Sequence, residues 1–194
     1  MEKKSRRNTK KKIVSAAWAL FYEQGYEHTT VEDIIELSGT SKGSFYHYFE
    51  GKDALLGSLS FLFDDKYEEL IPTLPSDMDA YEKLLHINGE LFALIENTIS
   101  IDLLARLYST QLVTKGERHL LDQSRTYYRV LRQIVKEGQE RGELSAELSV
   151  TEIVKLYALC ERGLMYDWCI CSGNYSLKNY GKTAMPMLLQ GIRG

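Results

Sequence analysis

The helical period of apolar residues dominates this chain and constrains its fold more than any other feature. In the first segment, Ile13, Ala17, Leu20 and Phe21 follow one another at the spacing that places side chains on one face of a helix. No segment keeps the alternation of apolar and polar residues that is typical of a strand, and no internal repeat is visible. This pattern predicts an all-α fold.

The first fifty residues predict a helix, a short helix, a tight turn and another short helix. Gly25 suits the end of the first helix. Thr30 is the expected N-cap of the second, with Asp33 completing a near match to a capping box, and Gly39 ends that helix. This order is the geometry of a helix-turn-helix.

Beyond Lys52 the predicted helices are longer. We expect them at about 53–70, 79–97, 101–114, 117–141, 150–171 and 176–191. The segment IPTLPSDMD, which carries two of the three prolines, is the clearest linker, and GELSAELS is a second break. The last two helices are apolar on more than one face, so they lie either at the centre of a core or against another chain.

Composition limits the class of protein. The chain has 194 residues, 44% of them apolar, which is enough to bury a sizeable core. No apolar run is long enough to span a bilayer, and no apolar segment follows the basic start of the chain. Three cysteines without an export signal predict reduced thiols and a cytoplasmic protein.

Charge is distributed unevenly along the chain. Residues 1–12 carry a net charge of +6, whereas the whole chain carries −3. A basic arm on an acidic body is expected when one end meets a polyanion. The arm either tracks phosphates, enters the minor groove or is merely solvated.

The stretch KGSFYHYFEGK, from Lys42 to Lys52, places four aromatic residues and a histidine in five consecutive positions. The second helix of a helix-turn-helix enters the major groove, and small residues at its start let the backbone approach the bases. Phe45 and Phe49 lie one turn apart and can face inward, which leaves hydroxyls and an imidazole to reach phosphates. At Lys52 a helix terminus and an ammonium group both favour an anion. The residues expected to contact DNA are Thr29, Thr30, Thr40, Ser41, Lys42, Gly43, Ser44, Tyr46, His47, Tyr48 and Lys52.

The segment TTVEDIIELSGTSKGSFYHYFEGKDALL resembles the DNA-binding segment of the tetracycline-repressor (TetR) family of bacterial transcription regulators. The matching window runs from about Lys10 to Leu56. The resemblance implies an all-α homodimer with an N-terminal three-helix helix-turn-helix DNA-binding domain, residues 1–52. Residues 53–194 would form a C-terminal helical ligand-binding and dimerisation domain. A small-molecule effector would then release the dimer from a palindromic operator.

The chain departs from the family pattern near the closing lysine. The family commonly has an aromatic residue, His and Phe there, whereas this chain has His47, Tyr48 and Phe49, followed by Glu50 in place of a cation. The individual roles of His47 and Tyr48 therefore stay open. Tyr46 and Tyr48 are either phosphate contacts or half-buried packing residues. Lys42 is either a base reader or a phosphate neighbour.

The body of the molecule is expected to hold an effector pocket and the dimer interface. The resemblance implies that helices at about 150–171 and 176–191 pair with their copies as a four-helix bundle. The expected pocket residues are Glu90, Tyr108, Gln111, Tyr127, Tyr128, Tyr157, Glu161, Met165 and Trp168. The aromatic residues either line the pocket or belong to the core. The two acids are either counter-ions for a cationic ligand or are exposed or paired.

Two other classes of function have less support in the sequence. An enzyme is not expected, because the chain has no metal-ligand cluster, phosphate-binding Gly-rich loop or serine elbow, and no cofactor is expected either. Cys169 and Cys171 are two positions apart on a helix and point in different directions, so they are either inert thiols or a redox sensor. A helical adaptor that binds proteins without reading DNA is the alternative function.

Overall fold

The computed structural model describes residues 2–114 and 118–194, with side chains from residue 8 onward. Its helices are α1 Glu2–Glu23, α2 Val31–Ser38, α3 Lys42–Tyr48, α4 Lys52–Leu56, α5 Leu59–Leu70, α6 Ala80–Thr98, α7 Ile101–Val113, α8 Thr126–Glu140, α9 Val150–Ile170 and α10 Leu177–Leu188. Single turns of 3₁₀-helix follow at Ile71–Thr73, His119–Leu121 and Gln190–Ile192. The described residues contain no strand, so the predicted all-α class is confirmed.

Helices α1 to α3 form a small head with its own apolar centre. Ile13, Ile34 and Phe45, one from each helix, are fully buried. The predicted caps are present: Thr30 and Asp33 form a capping box on α2, and Gly39 ends that helix with a left-handed φ of 62°. A helix-turn-helix follows because local caps stop α2 and start α3 within a few residues.

The predicted helix 53–70 is wrong in detail, because the chain breaks into α4 and α5 at Gly57 and Ser58. A Cβ on Gly57 would lie 2.4 Å from the imidazole of His119, so a larger residue there would require that ring to move. Ser58 also forms side-chain hydrogen bonds that compete with regular helix bonding. Its hydroxyl donates to the carbonyl of Leu55 and accepts from the indole of Trp18.

The predicted helix 117–141 begins late. Its helical part starts at Thr126, and residue 117 lies outside the described residues. The carboxylate of Asp122 accepts bonds from the backbone and hydroxyl of Ser124, and this local turn competes with the helix. The other four long helices are confirmed, with ends that differ by up to three residues.

The body is built around α6 and α9. Helix α6 packs against α8 and α10, while α9 packs against α7, α8 and α10. Leu84, Ile87 and Phe92 of α6 and Tyr157 of α9 are fully buried between these layers. Among the described helices, none combines the length and apolar character that a bilayer crossing requires.

The predicted basic arm is the start of α1 rather than a separate extended segment. The backbone is helical from Glu2 onward. A helix is about 10 Å wide and the minor groove of DNA about 6 Å, so entry of this segment into that groove is not supported. At the end of the arm, the Lys10 ammonium lies 5.8 Å from the ring centre of Phe49 and 5.5 Å from that of Phe61.

Candidate DNA-binding surface and effector cavity

The surface of α3 presents small and hydroxyl-bearing side chains at its start and an aromatic hydroxyl one turn later. Ser41 caps the helix by accepting a bond from the backbone N–H of Ser44 at 3.1 Å, and the two hydroxyls lie 2.9 Å apart. Tyr46 is 48% exposed, and its ring packs edge-on against buried Phe45 at 5.3 Å. The exposed phenol is therefore held in place by the core of the head.

Lys42 carries the positive charge of this surface. Its ammonium donates to the carboxylate of Glu32 on α2 at 3.1 Å, and both side chains are about two-thirds exposed. Glu32 raises the pKa of Lys42, so the charge is held at physiological pH. An exposed pair of this kind contributes little stability and can be exchanged for a phosphate or base contact.

Gly43 is exposed in the first turn of α3, and nothing inside the molecule requires a glycine there. A Cβ at this position would meet only the hydroxyl of Ser41, at 4.0 Å. Glycine in a helix costs about 1 kcal/mol relative to alanine. The absence of a side chain leaves the backbone of α3 open to another molecule at this point.

The three predicted threonines differ in availability. Thr29 is buried, and its hydroxyl donates to the carbonyl of Gly25 at 2.8 Å. Its predicted phosphate contact is therefore not supported by the structure. Thr30 is exposed, and its hydroxyl oxygen accepts the N–H of Asp33. Thr40 shares a hydrogen bond of 2.7 Å with the hydroxyl of Ser38.

His47 and Tyr48 face different surroundings. His47 is exposed on α3, with its ring 4.8 Å from that of Tyr48. Tyr48 is half-buried and packs against the core, so the structure favours the packing alternative for this residue. It also lines an open cleft of about 810 Å³ between α4 and the end of α7.

Lys52 is held at the junction of the head and the body. Its ammonium donates to the carbonyl of Tyr26 at 2.7 Å and lies 4.2 Å from the ring centre of that tyrosine. The hydroxyl of Tyr26 donates to the carboxylate of Asp53. Burial, together with Asp53, raises the pKa of Tyr26. Lys52 therefore presents its remaining N–H groups from a fixed position.

Arg106 on α7 reaches the same tyrosine from the body. Its guanidinium lies 4.9 Å from the ring centre of Tyr26 and bonds to the carboxylate of Glu27. A second carboxylate, Asp102, accepts from Arg106 at 2.8 Å and orients it. Sequence reasoning missed this contact, because Glu27 and Arg106 are separated by 79 residues and each looks like an ordinary surface charge.

A cavity of about 30 Å³ lies inside the body, between α5, α6, α7, α8 and α9. This is room for about one water molecule. Its wall is formed by Phe63, Tyr67, Leu91, Leu104, Leu107, Tyr108, Leu120, Arg125, Tyr127, Glu161, Arg162 and Met165. Any larger ligand must displace side chains, and flexible Met165 is the easiest to move.

The structure brings four of the nine predicted pocket residues to this cavity. These are Tyr108, Tyr127, Glu161 and Met165. Tyr128 lies beside the cavity, where its hydroxyl donates to the carbonyl of Leu120 at 3.0 Å and accepts from Arg162 at 3.3 Å.

The remaining four predicted pocket residues lie elsewhere. Tyr157 is core, with its hydroxyl bound to the carbonyl of Leu84 at 3.0 Å. Trp168 donates to the carbonyl of Tyr175 at 2.8 Å. Gln111 lines the cleft between α4 and α7 instead. Glu90 is half-exposed and pairs with Lys66 at 3.7 Å, so the exposed and paired alternative holds for it.

Sequence reasoning missed Tyr67 and Arg125, which carry polar chemistry to the cavity. Arg125 precedes α8 and makes a bidentate pair with Asp64 of α5, with both N–O distances at 3.0 Å. Asp64 also accepts from the backbone N–H of Tyr127 at 3.1 Å. Arg125, at the N-cap of α8 between Ser124 and Thr126, gave no periodic signal, but Asp64 in the apolar stripe of α5 could have indicated a buried partner.

The outer faces of α9 and α10 expose a set of large apolar side chains. They are Leu159, Tyr166, Ile170, Tyr180, Met187 and Leu188. Gly163 lies among them on α9, and a Cβ there would touch nothing within 4 Å. This face has the character of a surface that another chain covers.

The three cysteines are half-buried and unbonded to one another. Burial raises the pKa of the Cys169 thiol to about 11 and also raises that of Cys160. Thiols with raised pKa values are poor nucleophiles, which favours the inert alternative for these two. Among residues 2–114 and 118–194, no group of three metal-binding side chains is present.

The helix-turn-helix and the segment leading into the body match a family profile described as "Bacterial regulatory proteins, tetR family" over residues 13–59. The profile covers α2, α3 and α4, including the exposed surface of α3. Residues 13–59 therefore form a TetR-family DNA-binding domain, and the resemblance predicted from the sequence is confirmed. The chain is accordingly a DNA-binding transcriptional regulator.

Similar proteins extend this likeness to almost the whole chain. The "Fatty acid metabolism regulator protein" of Bacillus subtilis (strain 168) is 24% identical over 193 residues, covering 97% of this chain and 98% of its own. The "HTH-type transcriptional repressor KstR2" of Rhodococcus jostii (strain RHA1) is 25% identical over 195 residues, covering 97% and 92%. These relatives are transcriptional regulators and not enzymes, and the adaptor alternative finds no support among them.

Solved structures share the fold. The crystal structure of Thermus thermophilus FadR, a TetR-family transcriptional repressor in complex with lauroyl-CoA, superposes with a TM-score of 0.73. The two chains are 24% identical, and the match covers 93% of each. At this identity the likeness establishes the architecture of a helix-turn-helix head on a helical body.

Proposed function

We propose that this chain is a ligand-responsive repressor that binds a palindromic operator as a homodimer and is released by a small molecule. The exposed surface of α3 is the observation that carries this proposal. Ser41, Lys42, Gly43, Ser44 and Tyr46 offer donors, a cation and a close-approach glycine on the helix that enters the major groove in such folds. Named repressors among the relatives support repression over activation. The site of action would be the cytoplasm, where the operator lies.

The apolar faces of α9 and α10 support the homodimer. A palindromic operator requires two copies of α3 related by a two-fold axis, about 34 Å apart. Pairing α9 and α10 with their copies would cover Leu159, Tyr166 and Ile170, which otherwise face water. Gly163 lies on the same face and would let the partner helix approach closely.

The cavity in the body supports an effector site, and α7 connects it to the head. Leu104, Leu107 and Tyr108 line the cavity, while Arg106 on the same helix contacts Tyr26 and Glu27 of the head. Because the cavity is small, an effector must move its walls, and a shift of α7 would carry Arg106 with it. Release then requires only that the effector binds the shifted state better than the DNA-bound state.

The test is fluorescence anisotropy with DNA from upstream of the chain's own gene, in the presence of competitor DNA and across a salt series. We expect competitor-resistant binding whose log affinity falls linearly with log salt, because phosphate contacts release counter-ions. Tyr46→Ala should weaken binding by about tenfold, the value of one hydrogen bond to a charged group.

The matched control is Tyr22→Ala. Tyr22 lies on α1, outside α3, and is more exposed than Tyr46. Its removal should leave DNA affinity unchanged. Failure of the wild type to bind any upstream fragment at low salt would contradict the proposal and favour the adaptor.

A further inference from the structure

Glu161 is the most unusual side chain of the cavity. It is 2% exposed, and its Oε1 accepts from the amide of Asn88 at 3.0 Å and from the hydroxyl of Tyr67 at 3.5 Å. Burial raises the pKa of its carboxyl, and the bond from Asn88 opposes that rise. An acid buried among apolar and aromatic groups is costly unless it has a partner.

No cation within the described residues pairs with Glu161. Two guanidinium groups lie at the cavity, and neither forms an ion pair with Glu161. Arg125 is neutralised by its bidentate pair with Asp64. Arg162 is half-buried and donates to the hydroxyl of Tyr128, and its charge acts on Glu161 through space and opposes the rise of that pKa. The polar groups that supply bonds to Glu161 are neutral, so they orient its carboxylate without balancing its charge.

The second observation is the hydroxyl of Tyr127. This side chain is 6% exposed and lines the cavity, and its hydroxyl lies near Glu161 without a hydrogen bond of good geometry to any described residue. Buried hydroxyls are nearly always satisfied, so an orphan at a cavity wall indicates a missing partner. The rings of Tyr67, Tyr108 and Tyr127 form an aromatic wall on the same cavity.

We infer that the effector is a lipophilic organic cation whose charged group is bound by Glu161 against this aromatic wall. The inference rests on the proposed effector function of the cavity. A carboxylate supplies the opposite charge, and tyrosine faces attract ammonium groups through their ring electrons. Leu91, Leu104 and Leu107 would contact the apolar part of the molecule. Tyr127 would bond to any polar atom beside the charge.

The same chemistry disfavours an acyl chain in this cavity. Methylene groups against Glu161 would leave its carboxyl without a new partner, and a carboxylate or phosphate would be repelled by it. The lauroyl-CoA of the Thermus thermophilus protein is therefore the informative comparison. It is the alternative that the experiment must exclude.

Proton release follows from the raised pKa of Glu161. A raised pKa means that the neutral form is favoured in the effector-free protein, and that stability is lost as pH rises through that pKa. A cation favours the ionised form, so its binding should release a proton and tighten as pH rises. The charged or titratable groups near Glu161 on the packed elements are Asp64, Tyr67, Tyr108, Arg125, Tyr127, Tyr128, Tyr157 and Arg162. Burial also raises the pKa values of the Tyr67, Tyr108, Tyr127 and Tyr157 hydroxyls, so Glu161 is the buried acid whose ionisation a bound cation would favour.

Isothermal titration calorimetry of the full-length protein, without DNA, tests the inference. The probes are dodecyltrimethylammonium below its micelle concentration and, at equal chain length, laurate and lauroyl-CoA. The variants are Glu161→Gln, which keeps the shape and an acceptor oxygen, and Glu90→Gln as the control acid already paired with Lys66. Each titration is repeated in two buffers of different ionisation enthalpy to count protons.

We expect the wild type to bind the cation and release a proton, and Glu161→Gln to bind it about tenfold more weakly or worse, without proton release. Glu90→Gln should behave as the wild type. Glu161→Gln should melt no lower than the wild type, since the amide keeps an acceptor oxygen and cannot ionise at the buried site. Equal cation affinity in Glu161→Gln, or binding of lauroyl-CoA but not of the cation, would overturn the inference.

A separate anisotropy experiment with the operator distinguishes the two proposals. Cation binding by a protein that binds no DNA would sink the repressor function and leave the cation site standing. DNA binding that no cation affects, combined with no cation binding in the titration, would sink only the cation inference.

Discussion

The head, α1 to α3, and the proposed effector cavity differ in whether their polar side chains are exposed or buried. In the head, Lys42 and Tyr46 are exposed and stand on a buried apolar support. In the cavity, Glu161 and Tyr127 are themselves buried. The head can therefore lose its function without losing its fold, whereas cavity residues serve folding and binding together. In the head, the residues expected to contact DNA differ from those that stabilise the fold. At the cavity, the same residues would do both.

The largest expected effect comes from removing a buried aromatic ring from the core of the head. Phe45→Ala should lower the free energy of unfolding by about 3–5 kcal/mol, because the ring is fully buried and its loss leaves a cavity. DNA binding should disappear while the body still binds its effector. Chemical denaturation followed by circular dichroism measures the first effect, and anisotropy the second.

Tyr46→Ala is the internal control for that result, since it lies one residue further along α3. Its unfolding free energy should stay within about 0.5 kcal/mol of the wild type, as for other surface changes. If Phe45→Ala and Tyr46→Ala have the same free energy of unfolding, then the residues that stabilise the head are not distinct from those exposed on α3.

An intermediate effect is expected at the contact between the two regions. Arg106→Gln removes the charge that reaches Tyr26 and Glu27. We expect effector affinity to stay constant, while the free energy that couples effector binding to DNA release falls by about 0.5–2 kcal/mol. The ratio of operator affinities with and without effector measures this coupling.

Arg129→Gln is the matched control, because Arg129 is an exposed arginine of the body that pairs with Glu68 at 3.7 Å. Its coupling should equal that of the wild type. An unchanged coupling in Arg106→Gln would show that the signal travels by another route, such as α4.

The smallest expected effect comes from adding one methyl group to the head, which should change stability and DNA affinity in opposite directions. Gly43→Ala should raise stability by up to about 1 kcal/mol, because alanine favours a helix and the site has room. DNA affinity should fall, since the methyl would stand between α3 and the bases. Thermal melting and anisotropy on the same samples give both values.

Gly89→Ala in α6 has the same room for a methyl group and serves as control. It should stabilise the protein without changing DNA affinity. If Gly43→Ala binds DNA as well as the wild type, the backbone of α3 does not approach the operator at that point.

Predictions from sequence succeeded where the physics is local. The cap at Thr30, the stop at Gly39 and the inward Phe45 depend on neighbours within a few residues, and all are present. The close contact of Gly57 with His119 could not be predicted, because the two residues are 62 positions apart. The burial of Thr29 could not be predicted for a related reason, since it depends on the packing of the head.

The sequence by itself determined the helical class, the order of the helices and the run of side chains that α3 presents, because these follow from periodicity, capping and contiguous residues. Tertiary structure alone decided which tyrosines meet at the cavity, that Glu161 forms no ion pair there with any described residue, and that Arg106 reaches Tyr26. Tyr67 and Glu161, for example, meet across 94 residues. Such contacts arise from how helices pack, and a linear pattern carries no record of which faces will meet.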